Sequence, residues 1–401
     1  MTGLQNYREY LLASISTRYR IHLFTLTPTT WEDPYLVGST VVTATDTDTL
    51  AAAAAELNAR EPVSGVICWD ESRIHQAACV AERLGLPHTP TEAVWRCRDK
   101  YQGRSALAQA GLAQPVFALA GTLEEALAAA ENIGYPVVVK PRAAAASYGV
   151  SLVRSAEKMA EAFAFADQAT VAHMPEFDQS ILVEEYLAGP EVSVDSVVVG
   201  GRVTPLFVGR KQTGYPPYFE ETGHVVTNRD PLLRDPAFLT LLQDTHTALG
   251  FTHGWTHAEL KLDPILKVIE VNARLGGDMI PYLGMAASGI DPGLAIAALA
   301  SGAEPALEVQ RDLVAAIRFF YPEHDDTVID SVKFDAAALP ADIDRAVAVV
   351  LPGATVSPPP RGLLMGRIAY ATAVAPTEQE CVAALDQAAK ALQIRERTEV
   401  R

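Results

Sequence analysis

Cysteine, long apolar runs and basic side chains are all scarce in this chain of 401 residues. The four cysteines, at positions 68, 79, 97 and 381, form no C-x-x-C pair, which argues against a zinc site and against a disulfide framework. No apolar run approaches the roughly 18 residues of a membrane-spanning helix, and residues 1–20 carry charges where a signal peptide would be apolar. We therefore expect a cytoplasmic protein with no membrane partner.

Acidic side chains clearly outnumber basic ones. The chain has 49 Asp and Glu against 32 Lys and Arg, so its formal net charge is −17. A protein of this charge repels nucleic acids and anionic lipids, and we expect no nucleic-acid partner. An anionic ligand such as a nucleotide must then be held by a few local cations and a divalent metal.

The length and the apolar pattern predict several domains, since a domain averages about 150 residues. Residues 1–115 alternate between helical and apolar extended segments, which is typical of a parallel α/β unit. After Pro115 the pattern changes to short strands with helices starting near Thr122 and Ser155, which predicts a compact two-layer unit. We expect four successive regions, at residues 1–115, 116–186, 187–305 and 306–401.

Several local assignments follow from composition. Val63, Val66 and Ile67 predict a buried strand that ends near Glu71. Residues 213–228 are polar and contain Gly and Pro, which predicts a loop. Near the carboxyl end, residues 366–373 predict a strand, and the capping box at Thr377 predicts the start of a closing helix.

The most informative segment is residues 257–274, which reads as a β-hairpin with Asp263-Pro264 at its turn. Strand alternation places His257, Glu259 and Lys261 on one face with Glu270, Asn272 and Arg274, whereas Ile269, Val271 and Ala273 belong to the core face. Carboxylate and amide oxygens are the ligands that Mg²⁺ prefers. The alternative is an ordinary solvated strand face with cross-strand ion pairs.

Two further segments carry charged residues at strand ends. Lys140 ends an apolar strand and is followed by the small residues 143–147, so that backbone amides and one cation can surround a phosphate. Residues 181–195 place Glu184 and Glu185 at the end of another strand and Glu191 just past a Gly-Pro turn. Either segment alone is a weak signal, because strands often end in Lys or Glu.

In this order and spacing, the three segments resemble the ATP-grasp superfamily, in which two α+β subdomains clamp ATP between them. The resemblance covers most of the chain, because residues 84–112 look like the family's preceding domain and residues 366–370 look like its carboxy-terminal domain. It implies an ATP-grasp fold of mixed α/β and α+β class. In that fold, residues 1–115 form the amino-terminal parallel α/β domain, 116–186 a mobile lid, 187–305 the metal-binding core and 306–401 a carboxy-terminal α+β region.

The resemblance also implies roles for individual residues. ATP and Mg²⁺, with Mn²⁺ as a substitute, are the expected cofactors, and the residues matching nucleotide contacts are Lys100, Lys140, Ser147, Glu184, Glu185, Leu187 and Glu191. The matching metal ligands are Glu259, Glu270 and Asn272, and Arg274 matches the arginine near the transferring phosphoryl group. Alternatives remain for some of them, with Glu184 or Glu185 as an exposed strand end and Lys100 as a surface lysine.

One departure from the family concerns the loop over the phosphates, which is usually rich in glycine. Here Ala143 to Ala146 leave only Gly149 before the next strand, and alanine resists positive φ angles. This departure from the family pattern brings the closure of the loop over ATP into question. Ser147 still offers a hydroxyl group.

The implied reaction is the phosphorylation of a carboxylate followed by attack of an amine. Residues 274–278 and 221–226 look most like the L-amino-acid ligases, which implies that Arg274, Lys140 and His224 are catalytic and that His224, Arg274, Gly276, Gly277 and Asp278 contact substrate. His224 as a structural loop residue and Asp278 as a helix N-cap are the competing interpretations. The expected partners are a small carboxylic acid and an amine, and a homodimer is left open.

Two other functions share the same sequence features. One is an ATP-grasp carboxylase or a ligase of the purine-pathway type. The other is an ATP-binding regulatory module without ligase activity, which the alanine-rich loop favours and the complete set of metal ligands disfavours. The sequence does not identify the acid, the amine or the product.

Overall fold

The computed structural model describes residues 5–144, 147–169, 180–262 and 265–397. The helices in these ranges are α1 (Gln5–Ser16), α2 (Thr47–Arg60), α3 (Ile74–Arg83), α4 (Thr91–Arg98), α5 (Lys100–Gln109), α6 (Leu123–Ile133), α7 (Met159–Asp167), α8 (Pro236–Leu249), α9 (Ile280–Ser288), α10 (Pro292–Ala300) and α11 (Glu378–Ala391). The strands are β1 (His22–Thr25), β2 (Gly38–Val41), β3 (Phe117–Ala120), β4 (Val137–Pro141), β5 (Ser151–Val153), β6 (Ile181–Glu185), β7 (Glu191–Val199), β8 (Arg202–Gly214), β9 (Glu220–Thr227), β10 (His253–Lys261), β11 (Lys267–Asn272), β12 (Val314–Phe320), β13 (Thr327–Phe334), β14 (Ile343–Ala348), β15 (Thr355–Val356), β16 (Ala369–Ala375) and β17 (Leu392–Glu396).

The amino-terminal region has a small parallel sheet in which β1 pairs with β2. Buried residues of α2 and α3, among them Ala54 and Val80, pack beside it. The predicted strand at Val63–Ile67 is wrong, because this segment is half-buried and pairs with no strand. Gly65 instead approaches the end of α10 so closely that a Cβ there would lie 2.6 Å from the Ala300 carbonyl oxygen. Within the described residues, the segment around Gly65 thus packs against the end of α10 and does not pair as a strand.

A four-stranded antiparallel sheet, in the order β3-β6-β4-β5, forms the next layer with α6 and α7. Thr122 caps α6 as predicted, although the Glu125 carboxylate accepts from Gly121 N and not from the Thr122 amide. Ser155 makes no side-chain cap, and α7 begins only at Met159 after a short 3₁₀ turn. The sheet and its two helices enclose their own apolar core around Ala126, Met159 and Val183.

The largest sheet has eight strands in the order β11-β10-β7-β8-β9-β12-β16-β14, and its pairings are antiparallel. It runs continuously across residue 305, where one region was expected to end, and the division into four regions stays a prediction. The predicted loop at 213–228 is wrong, since β9 occupies half of it and β8 extends to Gly214. Its polar residues concealed an interior strand that pairs with both β8 and β12.

Helices α9 and α10 cover one face of this sheet, where Ile280 and Leu283 pack with Phe207 in the main core. In the described ranges, no single helix is long and apolar enough to span a membrane; α9 and α10 reach that length and hydropathy only as a pair bent by 106°. At the carboxyl end, β13 pairs with β15 and β17. The capping box at Thr377 is confirmed, and the predicted strand at 366–373 begins only at Ala369.

A buried cluster of ions joins three of these elements. Arg104 of α5 donates two hydrogen bonds to the Glu184 carboxylate of β6, at 2.8 and 3.1 Å, and Lys140 Nζ of β4 lies 2.6 Å from it. Burial raises the pKa of Glu184, but Arg104 and Lys140 outweigh burial and lower this pKa to about 2. The cluster fixes the four-stranded sheet to helix α5.

Substitution Glu184→Gln is expected to destabilise the protein by about 3–5 kcal/mol, because it leaves two buried cations without their counter-ion. The measurement is the free energy of unfolding in denaturant near neutral pH. The matched control is Glu161→Gln, which breaks an exposed pair with Lys158 and should cost less than about 1 kcal/mol.

The same variant has an expected pH signature. The folded-state pKa of Glu184 lies below the ordinary value of 4.5, so its contribution is present above that value and is lost as the pH falls towards 2. The difference in stability between the wild type and Glu184→Gln should therefore shrink in acid. An equal loss in both Gln variants at neutral pH would show that the cluster does not stabilise the fold.

Candidate active site

A cleft of about 900 Å³ lies where the amino-terminal region, the four-stranded sheet, the eight-stranded sheet and residues 349–367 meet. Ten carboxylate side chains and six Lys or Arg side chains line it. The excess of negative charge means that an anionic ligand there requires additional positive charge. This agrees with the inference drawn from the composition of the whole chain.

The β10–β11 hairpin forms one wall of the cleft. Glu259 pairs with Glu270 across the two strands, and His257 pairs with Asn272. The register shifts after Glu259, so that Ile269 has no opposite residue. This bulge turns Ile269 into the cleft, and its predicted place on the core face is wrong. The turn at Asp263-Pro264 lies outside the described residues.

Glu270 and Asn272 of this wall contact each other, and both Glu259 and Glu270 contact a lysine. Asn272 Nδ2 donates to Glu270 Oε1 at 3.1 Å, and Lys100 Nζ lies 3.1 Å from Glu270 Oε2. Burial raises the pKa of Glu270, but Lys100 and Lys140 outweigh it and hold this pKa well below its ordinary value. Together with Glu259, these groups are hard oxygen donors of the kind that Mg²⁺ prefers, and the donor set fits that ion.

Two lysines stand beside the hairpin wall. Lys100 Nζ donates to the Ala144 carbonyl at 2.9 Å and lines the cleft, so it is not an ordinary surface lysine. Burial lowers the pKa of Lys140, and the Glu184 carboxylate partly offsets this effect. Ser147 lines the cleft in a left-handed conformation with φ of 54°, and Gly149 has φ of 77°. Ala145 and Ala146 lie outside the described residues, and closure of the loop stays a prediction.

The other residues that match nucleotide contacts, Glu184, Glu185, Leu187 and Glu191, also line the cleft. Glu184 is only 3% exposed, which excludes the interpretation as an exposed strand end. Glu185 is half-buried and pairs with Lys267 at 2.7 Å, and Leu187 is buried. Glu191 lies 3.1 Å from Lys211 Nζ and 3.2 Å from Lys261 Nζ.

Lys211 was missed by the sequence interpretation. It lies on β8, is 1% exposed at its side chain, and its Nζ is 2.8 Å from both Glu221 and Glu259 in addition to Glu191. Burial lowers the pKa of Lys211, but the three carboxylates raise it well above the ordinary value. This ammonium group connects Glu191, the candidate metal ligand Glu259, and Glu221 next to His224.

A second group of charges surrounds Asp278. Arg367 donates to its two carboxylate oxygens at 2.7 and 2.8 Å, and the guanidinium also lies 3.3 Å from Glu220. Asp278 is not a helix N-cap, since α9 begins at Ile280 and Met279 occupies the cap position without a side-chain bond. Arg367 was missed as a site residue, although it stands in the segment 366–370 on which the family resemblance rests.

His224 lies beneath this group. It is fully buried on β9 and is not a loop residue, and its Nε2 is 3.1 Å from Glu221 and 3.5 Å from Asp278. Burial lowers the pKa of His224, but the two carboxylates outweigh it and raise this pKa. Because His224 does not line the cleft, this geometry suits a residue that positions Asp278 and Glu221 better than one that touches substrate.

Glu71 and Asp195 hold the segment from Arg274 to Asp278 in place. Arg274 Nε pairs with Glu71, which also pairs with Arg98. Burial raises the pKa of Glu71, but Arg274 and Arg98 lower it to about 2. Gly276 N donates to Asp195 Oδ1 at 3.2 Å, and a Cβ on Gly276 would lie 2.8 Å from His257 Nδ1. Glycine is therefore required at this position for close packing.

Gly277 lines the cleft, and a Cβ there would meet nothing within 4 Å. The predicted site residues other than His224 and Gly276 thus line one cleft, although their roles stay predictions. Glu71, like Arg367, had a recognisable signal, because it stands at the end of an apolar segment. Lys211 had none, since a lysine in a polar stretch looks like a surface residue.

Comparison with known proteins finds a family model, sequence relatives and solved structures that are similar to this chain. A family model of the ATP-grasp domain matches residues 133–282. Protein y4rH of Sinorhizobium fredii is 28% identical over 358 residues, which cover 88% of this chain and 72% of that protein. The alanine–anticapsin ligase of Bacillus subtilis strain 168 is 29% identical over 240 residues, which cover 53% of this chain and 49% of the ligase. The chain therefore spans about half the length of that relative.

The solved structure of the L-amino acid ligase from Bacillus licheniformis superposes with a TM-score of 0.82 at 22% identity. The superposition covers 98% of this chain and 97% of that one. The family model places the ATP-grasp domain at residues 133–282. The superposition shows that nearly the whole chain shares the fold of the ligase structure. The chain therefore contains a match to the ATP-grasp domain at residues 133–282, and nearly all of it adopts the fold of an ATP-grasp ligase structure.

Proposed function

We propose that this protein is an ATP-dependent carboxylate–amine ligase, which activates a carboxylic acid as an acyl phosphate and joins it to an amine, releasing ADP and phosphate. The observation that carries the proposal is that one cleft contains Lys100 and Lys140, a set of hard oxygen donors and the charged segment from Arg274 to Asp278. The names of the relatives support it, since one is an alanine–anticapsin ligase and another is an L-amino acid ligase.

In this proposal ATP occupies the part of the cleft next to the four-stranded sheet. Lys100 and Lys140 contact the phosphates and adenine region, Glu191 accepts hydrogen bonds from the ribose, and Leu187 packs on the base. Ile269, which the bulge turns into the cleft, adds apolar surface of the kind that a base requires.

Glu259, Glu270 and Asn272 would hold Mg²⁺. When bound, the ion supplies the positive charge that the phosphates need in an acidic cleft. The residues around it prepare the site, because Lys211 holds Glu259 in place and Lys100 holds Glu270. Lys100 also lowers the pKa of Glu270, which favours the ionised state that binds a cation.

The chemical step requires alignment and charge neutralisation more than a nucleophilic side chain. An oxygen of the substrate carboxylate attacks the γ-phosphorus of ATP, and ADP leaves. Arg274 stabilises the negative charge on the transferring phosphoryl group. The neutral nitrogen of the amine then attacks the acyl carbon, phosphate leaves, and the nitrogen loses a proton. Asp278, held by Arg367 and His224, faces the cleft beside these reacting groups.

The experiment that tests the proposal is a screen for ADP release over pairs of amino acids and other small acids with amines, followed by mass analysis of the products. A ligase requires both substrates and forms an amide. Bicarbonate replacing the acid, with a carboxylated product, would favour the carboxylase alternative. ATP binding without ADP release from any pair would favour the regulatory module.

Glu270→Gln is expected to reduce kcat by about two orders of magnitude or more, because it keeps the shape but removes a charge that holds the cation. Chelation of Mg²⁺ should abolish ADP release from the wild type, and Mn²⁺ should restore it. The control is Glu308→Gln, an exposed glutamate outside the cleft, which should behave as the wild type. A Glu270→Gln enzyme with normal turnover and normal Mg²⁺ dependence would refute the metal assignment.

The rate of amide formation is expected to rise with pH through about pH 8, because only the neutral amine is a nucleophile and α-amino groups titrate in that range. The measurement is kcat/KM for the amine at saturating ATP and acid. Hydroxylamine, which is neutral at lower pH, serves as the comparison, and its profile should be displaced to lower pH. Identical profiles for the two nucleophiles would mean that amine deprotonation does not limit the reaction.

A further inference from the structure

Glu220 is a buried carboxylate that lines the cleft and takes no part in the steps described above. Its Oε1 atom accepts a hydrogen bond from the Tyr321 hydroxyl at 2.5 Å and another from Arg367 Nη2 at 3.3 Å. Within the residues that the structure describes, no hydrogen bond or ion pair reaches its Oε2 atom. One oxygen is therefore fixed, and the other is available to a ligand in the cleft.

Arg367 also places Glu220 beside the reacting groups of the proposed function. The same guanidinium donates to both oxygens of Asp278, at 2.7 and 2.8 Å. Asp278 ends the segment that begins at Arg274, and both of these residues line the cleft. The Glu220 carboxylate thus lies next to the part of the cleft to which the proposed function assigns the attack of the amine.

Two other carboxylates near this place are poor proton acceptors. The two oxygens of Glu221 lie 2.8 Å from Lys211 Nζ and 3.1 Å from His224 Nε2, and those of Asp278 both accept from Arg367. Burial raises the pKa of Glu221, but Lys211 and His224 outweigh burial and lower this pKa. Burial also raises the pKa of Asp278, but Arg367 and His224 hold this pKa well below its ordinary value. Both carboxylates therefore have a low affinity for a proton.

The balance of effects at Glu220 is the opposite. Burial raises the pKa of Glu220, and Arg367 and Tyr321 offset this effect only in part, so that the pKa lies above its ordinary value. The titratable and charged groups that face Glu220 come from several elements and are Tyr215, Glu221, Asp278, Tyr321 and Arg367. A general base is most effective when its pKa approaches the pH of the reaction, so Glu220 is the best suited of the three carboxylates.

We propose that Glu220 is the general base for amide formation, with Oε2 accepting the proton that the amine nitrogen loses. The inference rests on the proposed function and adds to it a catalytic residue. As the nitrogen attacks, its lone pair forms the bond to the acyl carbon, and one N–H proton passes to Oε2. The bond between the acyl carbon and the phosphate oxygen breaks, and phosphate leaves with that electron pair. Glu220 becomes ionised again when the proton passes to water.

The kinetic test uses Glu220→Gln, which keeps the shape of the side chain but cannot accept the proton. We expect kcat for amide formation to fall by about 100-fold or more, as for the loss of a general base. Formation of the acyl phosphate precedes this step and should stay as in the wild type. It is measured with the acid alone, as the exchange of labelled oxygen between the βγ-bridge and the β-phosphoryl positions of ATP. Retention of that exchange also shows that the variant is folded.

The pH profile supplies a readout that a structural role would not change. The wild-type kcat/KM for the amine should decline through two ionisations as the pH falls, first that of the amine and then that of Glu220. The Glu220→Gln profile should keep only the first. Tyr321→Phe removes a hydrogen bond that favours the ionised carboxylate, so it should raise the pKa of Glu220 and move the second ionisation to higher pH.

Asp70→Asn is the matched control. Asp70 also lines the cleft, and its Oδ1 atom accepts from Ser72 N at 2.9 Å. In the described ranges of the chain, its Oδ2 atom likewise has no partner. Because this variant removes the same charge from the cleft without removing the base, its pH profile should keep both ionisations and its oxygen exchange should equal that of the wild type.

Several outcomes would overturn the inference. Normal amide formation by Glu220→Gln would show that Glu220 is not the base, and a raised KM for the amine at unchanged kcat would make it a binding residue. Equal losses of oxygen exchange and amide formation would assign it to phosphoryl transfer or to the fold. Loss of the second ionisation in Asp70→Asn would assign the base to Asp70. A wild type that forms no amide with any amine would refute the proposed function itself, which distinguishes that failure from the others.

Discussion

Charge compensation inside the cleft is the constraint on which the rest of the structure depends. Charges removed from water cost several kcal/mol each unless they are paired with good geometry, and this cleft contains ten carboxylates. Each ion pair also joins different parts of the chain. Glu184 connects α5, β4 and β6, Lys211 connects β7, β9 and β10 from β8, and Glu71 connects Arg98 to Arg274. The site and the arrangement of the elements around it are therefore stabilised by the same contacts.

A second consequence is that, in the proposed function, binding of ATP and its metal replaces ion pairs within the protein by ion pairs with the ligands. Lys100 and Glu270 contact each other, although the proposed function assigns one to the nucleotide and the other to a cation. In the proposed complex, ATP and its metal together carry both kinds of charge, so they replace this internal pair without leaving either side chain uncompensated.

The eight-stranded sheet forms one side of the cleft. Asp195 of β7 accepts from Trp255 Nε1 and Gly276 N, and lies 2.9 Å from His257 Nδ1, so that one buried carboxylate aligns the hairpin with the segment after it. The four-stranded sheet, which has its own apolar core, forms the side to which the proposed function assigns the nucleotide. The cleft is thus built between two layers with separate cores.

Local sequence determined the elements whose signals are short-range. The capping box at Thr377 and the strand alternation of His257 and Glu259 depend on neighbours within a few residues, and both were predictable. The order and spacing of Lys140, Glu184 and Glu270 were sufficient to indicate the family. Tertiary structure decided the rest. Whether Val63 to Ile67 form a strand depends on a partner strand, and β9 exists because β8 and β12 accept its backbone in spite of its polar residues. The bulge at Ile269 depends on how β10 and β11 pair, and the counter-ion roles of Lys211 and Arg367 depend on which charges meet in space. Contacts between residues far apart in the chain leave no local pattern in the sequence.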